Sequence, residues 1–156
     1  MARGIQAEIK QAKPFSSLEE EALISLQRTA DQLQWRISEL LKPYGISPTQ
    51  YNALRILRGA KGREHSCSEI AKRMINRDPD ITRLVDRLER RGLVQRTREE
   101  KDRRVVIARI TPAGLELLKG LDRPVEELNR KILGHLGNQR LKTLIKLLEL
   151  AREQVT

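Results

Sequence analysis

A length of 156 residues makes one domain, or one compact unit with appendages, the natural expectation. With 33% charged residues and only 3% aromatics it favours helices around an aliphatic core and argues against a β-sandwich. A net charge of +10 points to nucleic acid or another anionic surface, and the single cysteine, Cys67, excludes an internal disulfide and suits a reducing cytoplasm.

The charge is unevenly spread. Residues 1–46 hold six basic and six acidic side chains, residues 47–111 hold 17 and 9, and residues 112–156 hold 8 and 6. The basic excess therefore sits in the middle segment, between Leu-rich ends. The opening residues lack an apolar stretch of signal-peptide length, and no run approaches the roughly 20 apolar residues of a membrane span. A cytoplasmic location and no membrane partner are expected.

Ser17 followed by Glu20 predicts a capping box at the start of a long helix. Leu18, Ala22, Leu26, Ala30, Leu33, Ile37 and Leu40 or Leu41 then recur at helical spacing until Pro43. Ser47-Pro48, with Gln50 three residues after the serine, opens a short helix to about Arg58, and "GAKGRE" reads as a loop. Ser66 and Glu69 form a third box ahead of Ile70, Ala71 and Met74. After "INRDP", Asp78 as N-cap and Pro79 at the first helical position predict a helix to Arg91. Its Ile81, Leu84, Val85 and Leu88 form one buried stripe, and Gly92 stands just past its end, where a positive φ is needed.

The period then changes. "LVQRT" and "VVIARI" read as two strands joined by the charged tip "REEKDRR". Thr111-Pro112 starts a long helix that Pro124 should kink or interrupt. After the break "GHLGNQ" a last helix carries Leu141, Leu144, Ile145, Leu148 and Ala151, with Leu147 and Leu150 adding more apolar surface than one core face requires.

The order predicts a mainly α fold with a small β-hairpin wing. A winged helix-turn-helix would occupy 47–111. An N-terminal arm and first dimerisation helix would occupy 1–46, and C-terminal dimerisation helices 112–156. A homodimer is expected.

With the apolar stripe of the Pro79–Arg91 helix turned inward, its opposite face carries Pro79, Thr82, Arg83, Asp86 and Arg90. Arg83 lies one turn in, where a guanidinium can fork onto guanine O6 and N7 in double-stranded DNA. Asp78 reads as the cap. Asp80 is open between a cap and an acceptor from a cytosine amino group. Ser66, Ser68 and Arg77 join the DNA-facing set. On the hairpin, Arg96, Arg98, Lys101, Arg103 and Arg104 can face phosphates, and a tip arginine can enter a narrow minor groove. Asp102 is expected to hold one of its arginine neighbours extended by a forked ion pair. A charge run alone suits any solvated turn; directly behind a capped helix-turn-helix it favours DNA.

The stretch "CSEIAKRM…DITRLVDRLERRGLVQRTREEKDRRVVIARITPAG" resembles the MarR family of winged-helix regulators. Its S-E-I-A helix, its L-x-x-L-E-x-x-G-L-V-x-R segment, its D-R-R tip and its I-T-x-x-G exit carry the likeness. The resemblance implies homodimers joined by their terminal helices and bound to palindromic promoter DNA, usually as repressors. It also implies release by a small aromatic or phenolic ligand or by an oxidant. By position it puts Arg83 on a base, Pro79, Asp80 and Thr82 against the duplex, and Arg103 in the minor groove with Asp102 and Arg104 as supporting pair. Asp80 departs from the small hydroxyl residues common at that place.

Trp35 and Tyr44 would line the effector cleft that the resemblance implies, although a packed helix contact is the readier reading of Trp35. Cys67 falls in the first turn of a helix, where the dipole can lower a thiol pKa. A redox role for it is weighed against an incidental cysteine, since peroxide-sensing relatives place theirs in the first helix. His65 and Cys67 offer two metal ligands where zinc needs three or four, so no metal and no cofactor are expected. With no nucleophile–base set or phosphate loop in view, an enzyme is not expected. The alternative function is an architectural DNA-binding protein without sensing.

Overall fold

A computed structural model describes residues 4–77 and 80–155. Asp78 and Pro79, the expected cap and first residue of the recognition helix, lie outside the described residues. The chain forms two compact units, residues 1–48 and 49–156.

The first unit holds α1 (Ile5–Glu8) and α2 (Leu18–Leu41). The hydroxyl of Ser17 accepts the Glu20 N–H at 3.2 Å, as the capping box requires. The return arm differs from expectation. The Glu20 carboxylate accepts from the backbone N–H and hydroxyl of Ser16, at 2.7 and 2.6 Å, one residue earlier than a box prescribes. Those bonds hold its carboxyl below the usual range. A 3-10 turn at Lys42–Tyr44 and Gly45, with φ 69°, end the run. The first half of the apolar stripe of α2 is exposed, at Leu18, Ala22, Leu26 and Ala30, whereas Leu33, Ile37 and Leu40 are half-buried and Leu41 is buried.

The second unit contains α3 (Pro48–Gly59), β1 (Glu64–Ser66), α4 (Cys67–Arg73), α5 (Ile81–Arg90), β2 (Val94–Arg98), β3 (Val106–Ile110), α6 (Pro112–Leu133) and α7 (Gly137–Glu153). The sheet is antiparallel in the order β1-β3-β2, so the expected hairpin gains a third strand. The register sets Val94 opposite Ile110, Arg98 opposite Val106, and Glu64 opposite Arg109. The sequence pattern marks the β1 residues as loop and helix cap. Three residues are too few to show a period, and the strand exists because β3 offers it an edge. Arg109 adds a cross-strand pair, its Nε donating to Glu64 at 2.9 Å.

α6 runs from Pro112 to Leu133 with Pro124 inside it, so of the expected kink or interruption the proline makes no interruption. Pro124 removes the N–H that the Gly120 carbonyl would otherwise accept, so one rung of the helix ladder is missing there.

Leu54, Leu57, Ile70, Val85, Leu88, Val94, Leu118 and Leu121 are fully buried and come from α3, α4, α5, β2 and α6. Each contributes roughly 1.5–3 kcal/mol by leaving water. The exit of α5 is a Schellman turn: Leu93 N–H reaches the Leu88 carbonyl at 3.0 Å and Gly92 N–H the Glu89 carbonyl at 2.8 Å. Gly92 has the expected positive φ, 70°. Thr111 welds this exit to the start of α6. Its hydroxyl donates to the Gly92 carbonyl at 2.6 Å and accepts the Gly114 N–H at 3.2 Å, while its own N–H reaches the Leu93 carbonyl at 3.0 Å.

Candidate nucleic-acid interface

α4 and α5 are the two helices of a helix-turn-helix. Ser66 caps α4 by accepting the Glu69 N–H at 3.2 Å, and its hydroxyl lies 3.1 Å from that of Ser68. The Glu69 carboxylate turns forward to Lys72 and Arg73 instead of back to the cap. The turn after α4 is anchored from α3, where the Asn52 side-chain carbonyl accepts the Ile75 N–H at 2.8 Å. Arg77 is exposed in the same turn.

The described part of the recognition helix begins at Ile81 with Asp80 as its cap, the first of the two roles left open for that residue. Asp80 Oδ1 accepts the Arg83 N–H at 3.0 Å, which satisfies one of the free donors of the first turn. Oδ2 of the same carboxylate lies 3.3 Å from Arg83 Nε. Ile81, Leu84, Val85 and Leu88 are all buried, which leaves Thr82, Arg83, Arg87 and Arg90 exposed on the outer side. Arg87 was missed by the sequence reading, although its place four residues after Arg83 puts it on the same face. Asp86 and Arg90 pair with each other at 3.1 Å.

The wing divides its arginines into two kinds. Arg96, expected on the phosphates, is turned inward. Its Nε donates to Glu89 at 3.0 Å, its Nη2 to Asp86 at 2.9 Å, and its backbone N–H to Glu89 at 2.7 Å. These three bonds clamp β2 to α5. Arg98 is engaged within the hairpin, where Nη1 donates to the Arg103 carbonyl at 2.7 Å. Asp102 does not make the expected fork. Its Oδ1 accepts the Arg104 N–H at 3.0 Å and stands 3.8 Å from Arg104 Nε, so it shapes the turn more than it holds a guanidinium. Lys101, Arg103 and Arg104 remain exposed at the tip, and among the described residues no carboxylate pairs with Lys101 or Arg103.

Cys67 begins α4, but burial pushes its thiol pKa up, and Arg96 opposes that only in part. The lowering expected from the helix end does not prevail. His65 Nε2 is buried without a partner among the described residues. No group of three or more His, Cys, Asp or Glu side chains among them is placed to hold a metal. Trp35, for which a packed helix contact was the readier reading, is 57% exposed, with the Arg36 guanidinium 5.2 Å from its ring centroid. Tyr44 is half-buried in the 3-10 turn after α2. No helix among the described residues is long and apolar enough to cross a membrane.

Two helices joined by an anchored turn, an outward arginine on the second, and a three-stranded wing behind it define a winged helix-turn-helix protein. A sequence profile described as the MarR family matches residues 46–106. The chain is 32% identical to the HTH-type transcriptional regulator PrsX of Escherichia coli over 128 residues, which span 81% of this chain and 77% of that one. It is 33% identical to the HTH-type transcriptional repressor MdtR of Bacillus subtilis over 102 residues, a match spanning 64% of that repressor's length. Among solved structures it is similar to a MarR transcription factor from Planctomyces limnophilus, with 44% identity, a TM-score of 0.68, and coverage of 88% of this chain and 99% of the other. It is also similar to Sco3205 of Streptomyces coelicolor, a MarR family regulator crystallised with DNA, with 25% identity, a TM-score of 0.80 and 92% of each chain covered. The chain belongs to the MarR family of DNA-binding transcriptional regulators.

Proposed function

We propose that this protein is a homodimeric repressor of a two-fold symmetric promoter site, released by a small aromatic or phenolic effector. The observation that carries the DNA reading is the polarity of α5: its inner residues are buried while Arg83 and Arg87 stand out on the other side. In this reading Arg83 forks onto a guanine, Thr82, Arg87 and Asp80 lie along the major groove, and Arg103 enters the minor groove from the wing tip. Lys101, Arg104 and Arg77 neutralise phosphates. Ser66 and Ser68 lie at the start of α4, the helix that crosses the backbone. Two-fold symmetry sets the two recognition helices one DNA turn apart, about 34 Å. The repressor sense follows the name of the Bacillus subtilis relative. The exposed Trp35 ring, with Tyr44, is the stacking surface for an effector.

Selection of bound duplexes from a random pool tests this reading. The expected winners share a palindrome, and Arg83→Ala relaxes the base preference at one position in each half-site, at a cost of roughly 1–3 kcal/mol. A pool that yields no shared sequence would instead favour an architectural DNA binder. Selectivity unchanged by Arg83→Ala would remove that residue from base reading.

A further inference from the structure

An acidic residue beside the DNA-reading arginine is out of keeping with a surface that must approach phosphates. The geometry of Asp80 gives it a use. We infer that Asp80 is a specificity-determining positioning residue, which holds Arg83 so that its two terminal nitrogens point end-on at a guanine. The inference rests on the base-reading role proposed above for Arg83.

Both carboxylate oxygens of Asp80 act on one residue. Oδ1 is fixed by the Arg83 backbone N–H at 3.0 Å, and Oδ2 faces Arg83 Nε at 3.3 Å. The cap bond orients the carboxylate, and the oriented carboxylate then limits where the guanidinium can lie. Arg83 needs such a restraint, because its side chain is 70% exposed and no packing fixes its rotamer. The point of attachment matters as much as the restraint. A guanidinium presents a side edge, made by Nε and one Nη, and an end edge, made by both Nη groups. Asp80 occupies the side edge at Nε. The closest approach of Asp80 is at Nε, on the side edge, and among the described residues no second carboxylate pairs with Arg83 to claim the end edge. Two parallel N–H donors there match guanine O6 and N7. The negative charge also weakens sequence-independent contact, since it repels nearby phosphates at every site. Asp80 therefore favours the right base and disfavours indiscriminate binding.

Asn and Ser both preserve a cap acceptor, so Asp80→Asn and Asp80→Ser keep α5 folded, which circular dichroism verifies. The wild type, both variants, Arg83→Ala and the double variant D80N/R83A are titrated against the selected duplex and against one with the guanine opposite Arg83 changed to adenine. A random-sequence duplex serves as reference. Both Asp80 variants are expected to lose about tenfold in guanine-over-adenine discrimination, within the range one forked contact supplies. They are expected to bind the random duplex as tightly as the wild type or more so. In the Arg83→Ala background, Asp80→Asn should change nothing at that base pair. Discrimination kept intact in Asp80→Asn and Asp80→Ser overturns the inference while leaving Arg83 as the reader. A change of preference that survives in the Arg83→Ala background also overturns it, because Asp80 would then touch a base itself. Wild-type discrimination in Arg83→Ala removes the base-reading role and this inference together.

Discussion

Gly114 has no side chain because there is no room for one. A Cβ there would stand 2.5 Å from the Leu93 carbonyl oxygen and 2.7 Å from Ile110 Cγ1. The carbonyl cannot swing aside, since it accepts the Thr111 N–H at 3.0 Å. Gly114→Ala is therefore expected to force the first turn of α6 away from the exit of α5 and to destabilise the fold by roughly 1–3 kcal/mol. Urea denaturation should show a lower midpoint at an unchanged slope. An unchanged midpoint would mean that the junction yields freely. The glycine is plain in the sequence, and so are Thr111 and Gly92; the I-T-x-x-G string marks the junction without giving its reason. The reason is the Leu93 carbonyl, which lies too far along the chain for local spacing to reveal. The same limit applied to Asp78 and Asp80. Either can serve as a cap by residue type, and only the backbone path decides that Asp80 accepts the Arg83 N–H.

Arginines that look equivalent in a string separate once elements are packed. Arg96 and Arg103 both belong to the basic hairpin, yet Arg96 joins β2 to α5 through Asp86 and Glu89 while Arg103 stands at the exposed tip. The helix periods, the caps at Ser17 and Ser66, and the β2–β3 hairpin were legible because each is a local pattern. β1 and the inward turn of Arg96 were not, because both depend on partners brought up by the fold. The division makes a paired prediction. Arg96→Ala leaves two carboxylates facing each other at partly exposed positions, which should cost about 1–2 kcal/mol of stability and also weaken DNA binding by loosening the wing. Arg103→Ala should leave the melting temperature unchanged, weaken DNA binding, and lower the salt dependence by about one phosphate contact. Thermal melts and titrations at several salt concentrations decide it. An unmoved melt for Arg96→Ala, or a lowered one for Arg103→Ala, would contradict the assignment.

At the scale of the molecule, charge and apolar surface are segregated along the chain. The basic excess lies in residues 47–111, whereas the two ends are near neutral and carry uncovered leucines. The C-terminal α7 has no buried residue at all, and Ile145, Leu147 and Leu150 are 56%, 59% and 50% exposed. The surplus of Leu147 and Leu150 over one core face was visible from spacing alone, whereas the exposure of Leu18 and Leu26 on α2 was not, since a regular stripe looks the same whether its partner is its own chain or another. A second copy is the partner that the proposed two-fold DNA site demands. Burying each such leucine would contribute roughly 1.5–3 kcal/mol to the pair. Replacing both Leu147 and Leu150 by Glu puts two charges per protomer into that contact and should shift sedimentation to the monomer. Binding to the full palindrome should then fall to the level of a single half-site, because the second half-site is no longer met at high effective concentration. Binding to an isolated half-site should persist, since neither residue belongs to the DNA-facing segment. A double variant that stays dimeric would place the subunit contact elsewhere, and one that loses half-site binding as well would show that α7 supports the fold of the DNA-reading unit itself.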